Sequence, residues 1–254
     1  MAALPAFGLY LGLTWWQHRP SLAAAARQSA VAGAPFAAGL GLALLYNCHR
    51  FGNPLQFGYD TSNWQSNFLA GLHGLTVSPG KGLLWYAPPV ILGMLGLPAF
   101  ARRFSREALL CLALTVGYLA LHAPYTYWEG GWCWGPRLIL PVLPFVLLPA
   151  APILAQSQRR VFGPAIAALL VLGLVAQIPA VLCDPAHPLQ AAYAAFPDEF
   201  QERVLYRPAD SPLVGQWRSL LQVTGNLRNP ATRAEIEGLL AAAQPSPATL
   251  LLAG

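Results

Sequence analysis

Charged side chains are scarce in this sequence. They make up 10% of its 254 residues, whereas hydrophobic residues make up 56%, and the mean hydropathy is +0.46. Because soluble domains carry about 25% charged residues, this composition argues against a soluble fold and predicts a multi-pass membrane protein. The net charge of +5 comes from dispersed arginines and a single lysine, with no basic stripe. We therefore predict no nucleic-acid partner.

Motifs for common cofactors are also lacking. The four cysteines show neither a CxxC pair nor Cys/His ligand spacing, and the chain has no GxGxxG or Walker sequence. The sequence thus predicts no zinc or nucleotide site. Cys48, Cys133 and Cys183 each lie at an end of an apolar run that is predicted to face the external side of a membrane. One disulfide among these three cysteines is therefore an open alternative in an oxidising compartment.

Apolar runs dominate what is present. Six of them predict an all-α transmembrane helical bundle over residues 1–183, and the runs are 1–16, 29–47, 83–100, 108–123, 138–156 and 161–183. The first run is shorter than the ~20 residues that cross a bilayer. This run could be an interfacial anchor, a signal peptide or part of a helix of a longer protein. The signal peptide is disfavoured because no basic segment precedes the apolar run. Internal prolines predict kinks in the later runs.

Arginine placement predicts the orientation. Short loops that carry several arginines lie on the cytoplasmic side, and here they alternate along the chain: Arg19 and Arg27, then Arg102, Arg103 and Arg106, then Arg159 and Arg160. The loops 48–82 and 124–137 and the tail 184–254 would then lie outside. We expect a protein of the inner (cytoplasmic) membrane whose polar loops face the external side.

The loop 124–137 is the densest cluster of polar and aromatic residues. Trp128 and Trp132 are candidates for a sugar site, Glu129 for a base, an acceptor-binding group or a metal ligand, and Arg137 for a phosphate site. Tryptophans also form belts at membrane interfaces. Such a belt does not require Glu129, the neighbouring glycines or an arginine that directly precedes an apolar run.

The loop 48–82 contains a second candidate site. Ser78-Pro-Gly-Lys-Gly precedes an apolar run, which predicts Ser78 as a helix N-cap and an anion site beside Lys81. The alternative is that Lys81 only reaches the lipid head groups. Residues 61–73 predict a short helix in the membrane interface.

The tail 184–254 differs in composition, because it holds seven of the ten acidic residues. Helical spacing over 211–223 and 231–243 predicts two small helices packed on the membrane face. Whether the tail is a lid over an acceptor site or an inert extension stays open at this stage.

Three segments together carry a family resemblance: Tyr46-Asn…Arg50-Phe-Gly-Asn-Pro…Gly58-Tyr, Ser78-Pro-Gly-Lys-Gly-Leu-Leu-Trp-Tyr-Ala-Pro-Pro89 and Trp128-Glu-Gly-Gly-Trp-Cys-Trp-Gly-Pro-Arg137. They resemble bacterial multi-pass glycosyltransferases of the GT-C superfamily, of the protein-mannosyltransferase-like group, over roughly residues 40–150. The resemblance implies inverting transfer of a sugar from a polyprenyl-phosphate donor to an acceptor on the outer side of the membrane. Membrane lipids would be the other partners.

Site residues follow from the resemblance together with residue type and face. Arg137, Lys81 and Arg50 are the candidates for the donor phosphate. The sugar or acceptor cleft would be lined by Trp128, Glu129, Trp132, Asp60 and Tyr59. Glu129 or Asp60 would assist a divalent metal if one is used, and no other cofactor is predicted.

One departure from the family concerns the catalytic carboxylate. The family places it in the first external loop, and here nothing acidic precedes Asp60. We therefore expect either a chain that has lost catalysis or the C-terminal half of a longer enzyme, and we favour the second. That half would come from a truncated gene model or from a split gene whose N-terminal half is a separate chain. No residue is assigned as catalytic. A noncatalytic scaffold or partner subunit, or a transporter, is the alternative, but the span centres carry almost no charge, which disfavours a transport path.

Overall fold

The computed structural model describes residues 3–56, 58, 63–156, 162–229 and 234. These residues form helices and turns without any β-strand, so the all-α prediction is confirmed for this part of the chain. The α-helices are α1 Ala3–His18, α2 Leu22–Phe51, α3 Phe68–Thr76, α4 Leu83–Tyr86, α5 Val90–Arg103, α6 Ser105–His122, α7 Leu143–Leu147, α8 Ala151–Leu154, α9 Phe162–Leu182, α10 Ala186–Ala195, α11 Phe200–Tyr206 and α12 Pro212–Arg228. Short 3₁₀ helices occupy Arg137–Val142, Leu148–Ala150 and Pro208–Asp210.

Three helical segments of the described chain are long and apolar enough to cross a membrane: Leu22–Phe51, Arg137–Leu154 and Phe162–Leu182. The chain is therefore described as a membrane protein, and the count of six spans stays a prediction. Exposed apolar side chains support the membrane assignment, since Val181 on α9 is 82% exposed. Such a surface is unfavourable in water and favourable in lipid.

Helix caps correct two predicted boundaries. The second span begins at Leu22 and not at residue 29, because the Ser21 side chain accepts a hydrogen bond from the Ala24 N–H at 3.3 Å. The interfacial helix predicted over 61–73 runs over Phe68–Thr76, because Asn67 Oδ1 accepts from the N–H groups of Leu69 and Ala70.

Prolines interrupt two of the predicted spans, where the sequence predicted kinks. The third run is divided at Pro88 and Pro89 into α4 and α5. The fifth run is a succession of short α and 3₁₀ helices, with Pro141 and Pro149 in the 3₁₀ parts. Proline has no N–H to donate and its ring clashes with the preceding turn, so the α-helix cannot continue regularly.

Helix α5 packs closely against this broken segment. A methyl group added at Gly93 would lie 1.8 Å from the Val146 carbonyl oxygen, and one at Gly96 would lie 2.1 Å from that of Pro149. Small residues therefore allow two backbones to touch, as is common between membrane helices.

The main hydrophobic core lies beside the polar loops. It joins α3, α4, the start of α5, the loop 124–137, the segment that follows it, and α11. The residues are Leu75, Leu83, Val90, Trp128, Ile139, Val142 and Leu205. The tail thus shares a core with the helices of the first part of the chain. Its helix predicted over 211–223 is confirmed as α12, which Ser211 caps. The helix predicted over 231–243 lies outside the described residues except for residue 234.

Candidate functional site

The aromatic loop 124–137 folds back through glycines with positive φ. Gly130, Gly131 and Gly135 have φ values of 75°, 70° and 60°, a conformation that side-chain-bearing residues rarely adopt. The Arg137 side chain lies over Gly130, where an added methyl group would be 3.0 Å from its Cγ and 3.2 Å from its Nε. The glycines therefore let the loop turn tightly beneath Arg137.

Lys81 fastens this loop to the preceding one. Its side chain is buried, and Nζ donates to the Gly131 carbonyl at 3.0 Å and to the Cys133 carbonyl, with Cys133 Sγ at 3.8 Å. Burial lowers the pKa of Lys81, because desolvation disfavours the ammonium form. Cys133 and Glu129 oppose that shift. The ammonium group thus has partners in the protein already, while the side chain borders a cavity.

The predicted helix start at Ser78 is wrong. Ser78 Oγ does accept a hydrogen bond from the Lys81 N–H at 3.2 Å, as an N-cap would, but the chain forms a turn and α4 begins at Leu83. The turn closes through a 2.7 Å bond from the Gly82 N–H to the Ser78 carbonyl. No anion site at a helix N-terminus is therefore built at Ser78.

Gly80 instead joins this turn to the tail. Its N–H donates to the Leu205 carbonyl at 3.2 Å, and an added methyl group would lie 2.3 Å from the Val204 carbonyl oxygen. Any larger residue would push α11 away from the turn. Tyr206, at the end of α11, also stacks on His73 of α3 at 5.8 Å.

A cavity of ≈ 370 Å³ lies between the two polar loops and the tail. The loops contribute Lys81, Tyr127, Glu129, Gly131 and Trp132 to its wall, and α10 and α11 contribute Leu189, Tyr193, Phe200, Gln201, Val204 and Leu205. The tail is therefore one wall of the candidate site. The choice between a lid and an inert extension is not decided by this placement.

Aromatic rings form one side of the cavity. Trp132 meets Tyr193 edge-on and stacks on Phe200, each with ring centroids 5.7 Å apart, and Tyr193 and Phe200 lie 5.4 Å from each other. Trp132 is still 48% exposed. The cluster therefore leaves ring surface free for a ligand.

Glu129 is the acidic group of the cavity. Burial raises its pKa, because desolvation disfavours the carboxylate, while the positive charge of Lys81 acts in the opposite direction. Burial also raises the pKa of Tyr206, and the charge of Glu129 adds to that effect. Glu129 is therefore electrostatically coupled both to the turn at Lys81 and to the tail.

The structure does not bring all the predicted site residues together. Arg50 is exposed at the end of α2, where it donates to the Tyr46 hydroxyl at 2.7 Å and lies over the Phe51 ring at 5.3 Å. Its described contacts do not include the cavity residues. Trp128 is 6% exposed and belongs to the hydrophobic core, and it is not among the described residues that line the cavity.

Asp60 and Tyr59 lie outside the described residues. The suggested disulfide is absent, since Cys48, Cys111, Cys133 and Cys183 are all free thiols. Cys133 instead lies 3.3 Å from the Gly130 carbonyl, within the turn that Lys81 holds.

Sequence reasoning left the role of the tail open and did not identify the tail residues that line the cavity. Tyr193, Phe200 and Gln201 follow no motif, and a helix break between α10 and α11 hides their proximity. A signal did exist for Gln177, a lone polar residue in the last apolar run. Its Nε2 donates to the Tyr86 carbonyl at 2.7 Å and its Oε1 accepts from Trp134 at 3.0 Å, which anchors the aromatic loop on α9.

Two further findings bear on function. In the described part of the chain, no three His, Cys, Asp or Glu side chains are grouped so that they would hold a metal ion. Comparisons of the chain with protein-family models, curated proteins and solved structures find no match.

Proposed function

We propose that this chain is a membrane glycosyltransferase, or the C-terminal part of one, of the GT-C type. It would transfer a sugar from a polyprenyl-phosphate donor to an acceptor on the outer face of the membrane. The observation that carries the proposal is the cavity at the end of the apolar helices, which combines an aromatic wall with Glu129 and Lys81. Binding sites for small molecules commonly pair aromatic lining with a few convergent polar groups.

The proposal includes a membrane arrangement. In this arrangement the three apolar segments are three of six spans. The other three spans are α1, α4 together with α5, and α6. The arginine-rich loops face the cytoplasm. The polar loops and the tail then lie on the external side of the inner membrane. This arrangement places the cavity at the height of lipid head groups, where the phosphate of a polyprenyl donor resides.

Arg137 is the residue we assign to the donor phosphate. It is exposed, and among the described ion pairs none involves it. It follows Gly135 and Pro136 and lies over Gly130 at the edge of the cavity loop. Its planar guanidinium can donate two parallel hydrogen bonds to phosphate oxygens.

The other cations support this role at a distance. Lys81 is occupied by loop carbonyls, so it contributes positive charge and holds the loop in place. Arg50 enters the proposal as a further cation of the same membrane face. The sugar ring would lie on the wall formed by Trp132, Tyr193 and Phe200.

Donor binding tests the proposal. The purified protein in lipid nanodiscs is titrated with a polyprenyl phosphate, as wild type, Arg137→Lys and Arg137→Ala. Loss of a charge-assisted hydrogen bond costs about 1.5–3 kcal/mol, so we expect Arg137→Ala to weaken binding about 10- to 100-fold. Arg137→Lys should recover part of the affinity, because it keeps the charge but not the two parallel bonds.

Arg228→Ala, at the end of α12, is the matched control and should bind as the wild type does. Equal affinities for all four proteins would remove Arg137 from the site. If the wild type does not bind polyprenyl phosphate at all, a noncatalytic membrane scaffold becomes the better account.

A further inference from the structure

Glu129 is the only described carboxylate that borders the cavity. The other described acidic residues do not line it, and they are Glu107, Asp184, Asp198, Glu199, Glu202 and Asp210. Several of these have other partners, since Glu199 pairs with Arg203 at 2.7 Å and Glu107 accepts from the Tyr10 hydroxyl. Among the described carboxylates, Glu129 is therefore the one positioned to accept a proton in this cavity.

Five titratable or charged groups lie on the elements that form the site around Glu129. Lys81 comes from the preceding loop, Tyr127 and Arg137 from its own loop, Tyr193 from α10 and Tyr206 from α11. Lys81 is the buried cation among them, and it holds the loop that carries Glu129 through the Gly131 and Cys133 carbonyls. These hydrogen bonds hold the backbone close to Glu129 and keep the positive charge of Lys81 near its carboxylate.

We propose that Glu129 is the catalytic base of the transfer, with Lys81 as its positioning residue; the assignment rests on the proposed function. A Glu129 carboxylate oxygen takes the proton of the acceptor hydroxyl while the hydroxyl oxygen bonds to the anomeric carbon of the sugar. The bond from that carbon to the donor phosphate oxygen breaks, and its electron pair leaves with the polyprenyl phosphate. Glu129 then passes the proton to water.

Charge placement fits this step. The Arg137 side chain lies against Gly130, the residue that follows Glu129, and stabilises the negative charge of the leaving phosphate. The half-buried position of Glu129 makes it a stronger proton acceptor than an exposed glutamate, because burial raises its pKa. The family resemblance alone points to a base in the first external loop, whereas the cavity offers one in the loop 124–137.

The test measures turnover and donor binding separately. Wild type, Glu129→Gln and the control Glu202→Gln, on the exposed side of α11, are assayed in nanodiscs for release of polyprenyl phosphate. The donors are polyprenyl-phosphate mannose, glucose and galactose, and water serves as acceptor. Glu129→Gln should lower kcat about 100- to 10,000-fold while polyprenyl-phosphate affinity stays within threefold of the wild type. Glu202→Gln should match the wild type.

A pH profile separates catalysis from a merely structural role. The carboxylate form is required, so activity falls as pH drops through the raised pKa of Glu129, at a higher pH than for an exposed glutamate. Lys81→Met removes a positive charge that lowers this pKa, so the acid limb should move to higher pH. Full turnover by Glu129→Gln, or an acid limb that Lys81→Met leaves in place, would overturn the assignment and leave the proposed function standing. A wild type that binds polyprenyl phosphate but turns over none of the donors would overturn the assignment of Glu129, and a wild type that does not bind polyprenyl phosphate would overturn both.

Discussion

Trp128 and Trp132 lie four positions apart in one loop and have different environments. Trp128 is 6% exposed and packs over Gly74 of α3, where an added methyl group would lie 2.0 Å from the indole ring. Trp132 is 48% exposed and borders the cavity with Tyr193 and Phe200. Residue type alone therefore does not separate a core aromatic from a ligand-facing one.

The two tryptophans should respond differently to truncation. Trp128→Ala leaves a void in the main core, and we expect the free energy of unfolding to fall by about 3–5 kcal/mol. Trp132→Ala removes partly exposed ring contacts and should cost about 1 kcal/mol, while it weakens binding of a soluble saccharide or glycolipid headgroup. Thermal unfolding in detergent measures the loss of stability in both variants. Equal losses of stability would contradict the assignment of Trp128 to the core and Trp132 to the cavity wall.

At the scale of elements, the contact between α5 and the proline-broken segment depends on two glycines. Gly93 and Gly96 are the points at which the α5 backbone touches the carbonyls of Val146 and Pro149. The broken segment begins at Arg137, so this contact also supports the backbone that carries the proposed phosphate ligand.

Gly93→Ala should therefore destabilise the protein. The added methyl group meets backbone and not a movable side chain, so α5 must shift, and we expect a cost of about 1–3 kcal/mol. Gly39→Ala in α2 is the matched control, because no atom lies within 4 Å of its added methyl group. The control should leave stability unchanged or raise it slightly, since alanine favours a helix. An unchanged unfolding temperature for Gly93→Ala would contradict the close packing.

At the scale of the whole molecule, the proposed orientation puts the cavity outside and the turn between α5 and α6 inside. Ser105, at the start of α6, and Gln65, before α3, are both exposed in the structure. Their accessibility in intact cells therefore reports on the membrane and not on local burial.

Single cysteines at these positions test the orientation. In a background in which the four native cysteines are replaced by alanine, Gln65→Cys should react with a membrane-impermeant thiol reagent and Ser105→Cys should not. After the cells are lysed, both should react. The reverse labelling order would invert the topology and move the candidate site to the cytoplasmic side.

Local sequence patterns predicted much of the fold. Apolar runs, prolines and the N-cap at Ser211 depend on neighbouring residues, so the helical class, the broken fifth run and α12 were predictable. The caps at Ser21 and Asn67 are equally local and would have corrected two boundaries. Ser78 shows the limit of such signals, because its capping bond forms in a turn that docks on α11 and not at a helix start.

The sequence by itself determined that this is an apolar, helical membrane chain whose polar chemistry gathers in two loops, because hydropathy and chain breaks act over a few residues. Only the tertiary structure decided which of those residues meet. Lys81 reaches a carbonyl 52 positions away, and Glu129 shares a cavity with Phe200 and Gln201 of the tail. These contacts arise from packing between distant segments, and no pattern within either segment encodes the position of the other.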